Sequence, residues 1–180
     1  MDMRRHASMR LSDDEQYDWL KNRLQVGAGD VEPPEYPPGM CFMVSEANFE
    51  GLGMEGAAPD ATVRFAAIAR ATSVNRSRIG CRIECEIDLL SLDGGKMVEM
   101  SEAARPAISL DENDHERLDL DSEGCERGDM LHLIGMVRVE RTSDSEYGGK
   151  YVCFQIIEAS VEDEDAEADS PAQRRYGTDE

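Results

Sequence analysis

Apolar and polar residues alternate most strictly along residues 61–92, and that stretch predicts the element around which the rest of the chain is built. In its second half Cys81, Ile83, Cys85, Ile87 and Leu89 alternate with Arg82, Glu84, Glu86 and Asp88. A period of two sends the first set to a core and the second to water, the signature of a half-buried β-strand. In the first half Val63, Phe65, Ala67, Ala69 and Ala71 share one face, while Arg64, Arg70 and Thr72 share the other with Ala66 and Ile68. Small residues on the inner face imply close packing. Residues 75–80, polar and ending in Gly80, join the halves into a long antiparallel hairpin.

A different period precedes it. Residues 12–26 carry a helix pattern: Ser12 and Glu15 have capping-box spacing, Asp13 and Asp14 sit in the first turn, and Gly27 follows the end. Tyr17, Leu20 and Leu24 form a narrow stripe with Trp19 beside it, too narrow to stand alone. Residues 31–39 hold Pro33, Pro34, Pro37 and Pro38 around Tyr36. Prolines lack the N–H a ladder needs and fix φ, so this segment predicts a stiff extended strap. Helix and strap together make residues 1–40 an expected N-terminal arm, either a plain linker or an arm reaching a neighbour.

Past the strap, residues 41–44 read as a short strand and 48–60 as a loop. Asp93-Gly94-Gly95 marks a turn, with a short return strand at 96–100. Residues 101–129 read as one long acidic loop, and such a loop in a small domain is usually functional or ordered by something else. Residues 130–141 and 151–161 predict two further strands. Gly135 suggests a bend or bulge in the first of them, and His132 reads as a core histidine. Residues 162–180 are an acidic tail without apolar period. The expected fold is mainly β: a small antiparallel β-barrel or sandwich over residues 41–161, with an OB-like barrel among the options.

Charge alters this picture. The chain has 39 acidic residues against 19 Lys and Arg, a formal net charge of −20, whose field opposes general affinity for nucleic acid or anionic membrane. Yet Arg64, Arg70, Arg76, Arg78 and Arg82 fall within residues 61–83, which contain no acid. They are either the charged defence of a solvated edge or a docking ridge for something negative. No run approaches the roughly 20 apolar residues of a membrane helix, and residues 1–10 lack the apolar stretch of a signal peptide.

Candidate chemistry is sparse. Five cysteines without framework spacing fit a reducing compartment, and Cys41, Cys85 and Cys153 read as small core residues. On a strand Cys81 and Cys85 lie about 13 Å apart, too far to share a zinc ion. Asp119, Asp121 and Glu123 imitate the start of a calcium loop, but its twelfth position is Met130 instead of the required Glu. Phosphate loops, nucleophile elbows and paired metal ligands are missing from the sequence, so no cofactor, metal or enzymatic activity is expected.

The segments PPEYPPGMCFMV (33–44), TVRFAAIARATSV (62–74), CRIECEIDLL (81–90) and 126–156 together resemble the small capsid-stabilising, or decoration, proteins of tailed bacteriophages. The resemblance implies a β-barrel or sandwich head seated on the exterior of a virion, with extended arms clipping neighbouring copies of the major capsid protein, and no chemistry. The candidate partner interface is then Trp19, Leu20, Leu24, Pro33, Pro34, Tyr36, Pro37 and Pro38 of the arm, which lies partly outside the matched segments, with Arg64, Arg70, Arg76, Arg78 and Arg82 of the hairpin. Neighbouring copies of the chain itself are expected partners on such a lattice. The rival reading is an OB-like barrel that binds single-stranded nucleic acid and recruits partners through its acidic tail. Five or so strands, a glycine-bearing barrel strand and the arginine hairpin fit it, while 6% aromatic content and the net charge weigh against it. An acidic mimic of DNA is a third reading, carried by charge alone.

Overall fold

A computed structural model describes residues 6–24, 32–49, 51–53, 58–78, 80–120, 125–145 and 149–162. In chain order the elements are β1 (Ala7–Ser8), α1 (Asp13–Leu24), β2 (Cys41–Ser45), β3 (Thr62–Ser77), β4 (Gly80–Leu92), β5 (Val98–Glu99), β6 (Ala107–Leu110), α2 (Glu112–Arg117), β7 (Met130–Ser145) and β8 (Gly149–Glu162). The strands form one antiparallel sheet in the order β1-β8-β7-β3-β4-β5, with β2 also on β8 and β6 also on β4. A single sheet replaces the sandwich alternative.

The hairpin forms as its alternation predicts. Phe65, Ala67, Ala69 and Ala71 of β3 are buried together with Ile83, Cys85 and Ile87 of β4. Two bulges then change which residues follow. Ile68 pairs with Leu89 but Ala69 with Ile87, leaving Asp88 as an extra residue, so Leu90 and Leu92 are buried and Leu89 leaves the core set. On β3 the extra residue is Thr72, whose hydroxyl donates to the Glu84 carbonyl at 3.1 Å. Beyond it Val74 pairs with Ile83 and Arg76 with Cys81, so Arg76 emerges on the opposite face from Arg64 and Arg70.

A sheet with one apolar face has to cover it, and among the described residues no large helical layer does so. The sheet curls instead. Three strand spacings, about 14 Å when flat, separate β2 from β3 across β8 and β7. The ring centroids of Phe42 and Phe65 nevertheless lie 6.5 Å apart, and Phe42 stacks on Phe154 of β8 at 5.4 Å. Just before β2, Gly39 abuts β6 on the other edge: a β-carbon there would come within 2.5 Å of the Ser109 carbonyl oxygen. Gly135 of β7 lies against the Glu158 backbone so closely that any β-carbon would run into it. The adjacent register shift leaves Ile157 extra on β8, in line with the predicted bend or bulge.

Described parts of the expected arm touch the body. β1 pairs with β8, Met9 is fully buried, and its N–H donates to the Ile157 carbonyl at 2.8 Å. The strap is seated on the same strands: Pro37 is buried, and Gln155 Nε2 donates to the Pro37 and Met40 carbonyls at 3.1 and 3.3 Å. The Arg138 guanidinium covers the Tyr36 ring at 5.1 Å. Residues 101–129 also differ from a simple loop. They contain β6 and α2, with Ile108, Leu110, Leu118 and Cys125 in the core. Residues 25–27 at the expected helix end, residues 121–124 of the calcium-like stretch and residues 163–180 of the tail lie outside the described residues.

Candidate binding site

Two short helices meet over the outer side of β4 and β6. The first begins as its sequence predicts, with the Ser12 N–H donating to Glu15 Oε2 at 2.7 Å and the Glu15 N–H to Ser12 Oγ at 3.3 Å. At α2 the same reciprocal cap is made by two aspartates. The Asp114 N–H donates to Asp111 Oδ1 and the Asp111 N–H to Asp114 Oδ2, both at 3.0 Å. Arg117 joins the two helices, paired with Glu15 of α1 and lying 3.5 Å from Asp114 Oδ1.

Between them opens a cleft of about 280 Å³. Leu11, Glu15 and Trp19 form one wall, and Pro37, Pro38 and Gly39 of the strap another. Arg82 and Ser109 project from β4 and β6, and Asp111, Asn113 and Asp114 close the end at α2. Asp114 is buried, and burial first, then the neighbouring Asp111 charge, pushes its carboxyl up to about 7. Burial also pushes the adjacent His115 imidazole down.

The structure scatters the five arginines. Arg70 is paired across the ladder with Glu86 at 3.5 Å and with Asp88 at 3.4 Å, and Arg105 joins Asp88 at 3.5 Å. Arg76 Nη2 donates to the Cys125 carbonyl at 2.7 Å. Arg64 and Arg78 are exposed at different levels of the hairpin, and Arg82 faces the cleft. The acid-free stretch is thus acid-free only along the chain, because the register brings Glu86 opposite Arg70.

Of the sequence-predicted interface, Trp19, Pro37, Pro38 and Arg82 come together. Leu20, Pro33, Pro34 and Tyr36 are half-buried outside the cleft, and Leu24 belongs to α1. No family model, curated protein or solved structure matches this chain. Its site is read from its own geometry. Ser109, Asp111, Asn113 and Asp114 were not singled out from sequence, although Asp111-x-x-Asp114 has capping-box spacing, and Glu15 was read only as a helix cap. Among the described residues no group of three or more His, Cys, Asp or Glu is arranged to hold a metal ion, and no helix is long and apolar enough to cross a membrane.

Proposed function

We propose that this chain is a binding module that holds single-stranded nucleic acid on an OB-like barrel. The strands β3, β4 and β6 run as a meander, α2 follows, and β7 and β8 return as a hairpin with β7 against β3. This order is compatible with an OB barrel, whose ligands lie on the face of its second and third strands beside the loops of its two hairpins. Strand order alone decides little about function. The observation that carries the reading is the cleft, which opens on the corresponding face, that of β4 and β6, and combines the indole of Trp19 with the guanidinium of Arg82. An aromatic ring offers a base a stacking surface, and arginine serves either a phosphate or a base plane.

The decoration reading uses the arm to clip neighbours and the arginine hairpin to dock on the capsid. A strap seated on its own sheet, with Arg70 and Arg76 already partnered within the chain, gives that reading less support. The acidic body repels phosphate, so binding is modest and depends on the few arginines near the cleft. Fluorescence anisotropy of a labelled oligonucleotide of about a dozen nucleotides tests the proposal. Affinity is expected to fall with salt at a log–log slope of about −2, as for three neutralised phosphates, and to drop about tenfold in Arg82→Ala. Absence of binding at low salt, with saturable cosedimentation on purified phage capsids instead, would return the assignment to capsid decoration.

A further inference from the structure

Resting on that reading, we infer that the cleft between α1 and the barrel takes one unstacked base and selects bases that carry an exocyclic amine. The volume suits a single ring system and is small for a larger ligand. Trp19 and the rings of Pro37 and Pro38 give it flat apolar wall, and polar side chains line as much of it again. Its far end is acidic. Asp111 and Asp114 there, with Glu15 on the adjoining wall, disfavour a phosphate, whereas a base edge bearing N–H donors finds acceptors.

The capping box uses Asp111 Oδ1 and Asp114 Oδ2, and Asp111 Oδ2 has no protein partner among the described residues. An amino group on the base donates to that oxygen. Arg82, lining the same cleft, donates to the ring nitrogen or carbonyl beside the amine. Cytosine offers this donor-acceptor pattern. Thymine offers a carbonyl oxygen in place of the amine, and two acceptors repel. The phosphates then run outside, past Arg82 and the exposed Arg78 at the hairpin turn.

Trp19 is the chain's single tryptophan, so its fluorescence reports on this cleft alone. Titration of the full chain with dC and dT oligonucleotides of about eight nucleotides, followed by anisotropy and tryptophan emission together, tests the inference. Quenching of Trp19 is expected with dC, and affinity for dC about fivefold or more above that for dT. Asp111→Asn keeps the helix cap, because asparagine caps as well as aspartate, and is expected to bring the ratio close to one. Equal affinities with unquenched Trp19, or a preference unchanged in Asp111→Asn, would overturn the base-selecting cleft while leaving nucleic-acid binding intact. Failure of both oligonucleotides to bind would overturn the binding module itself.

Discussion

The interior of the curled sheet and the cleft on its outer side are held together by different forces. Inside, Phe42, Phe65 and Phe154 meet among aliphatic residues from nearly every strand, and burying each ring contributes about 1.5–3 kcal/mol without demanding a particular partner. At the cleft, α1 and α2 are joined by Arg117 and each is closed by its own capping box, interactions that depend on geometry, charge state and salt. Interior contacts fix the fold, and cleft contacts leave α1 responsive to its surroundings.

Three substitutions sharpen this contrast. Gly135→Ala strikes the interior hardest, since its methyl group runs into the backbone of Glu158 and Ala159, which has no side chain's freedom to move aside. Loss of about 4 kcal/mol or more, or failure to fold, is expected in urea denaturation. A shift below about 1 kcal/mol would mean that β7 and β8 separate easily at that point. Asp114→Asn acts next, and its effect depends on pH. The carboxyl is raised from its ordinary value to about 7 in the folded chain, so the native state binds the extra proton between about pH 4 and 7. Stability from this group is therefore full at low pH and is lost as pH rises from about 4 through 7. Thermal melts from pH 5 to 8 should show that decline in the parent and a flatter profile in Asp114→Asn. Equal slopes would remove Asp114 as its source. Arg117→Ala should have the smallest global effect, about 1 kcal/mol, because its main work is to hold α1. Red-shifted Trp19 emission with an almost unchanged melting temperature is expected, and unshifted emission would show that α1 is held by other contacts.

Much of the interior was legible in the sequence because a half-buried strand writes its burial as alternation. Ala67, Ala69, Ile83, Cys85 and Ile87 follow from that rule directly. Leu89 and Arg76 did not, since a bulge is a property of two strands in register and leaves no mark on either alone. The segment holding β6 and α2 was opaque for a different reason: four strand residues and six helical ones are too short to establish a period against acidic flanks. The same shortness hid the assembly of the cleft. Trp19, Pro37, Pro38 and Arg82 stood out as candidates for contact, but only β6 and α2 bring their three segments to one place.

The pairing of β1 and β2 with β8 also sets an order of events during synthesis. Ala7 meets Ala159 and Cys41 meets Gln155, so neither early strand has its partner until the last strand has left the ribosome. At ordinary elongation rates that wait is roughly 5–20 s for β2. The hairpin of β3 and β4 can close meanwhile, being joined by a short turn. Such long-range pairing raises contact order and slows the final step. The strap, which hangs from β2 and hydrogen-bonds to Gln155, docks only then, so the nascent chain acquires its cleft last.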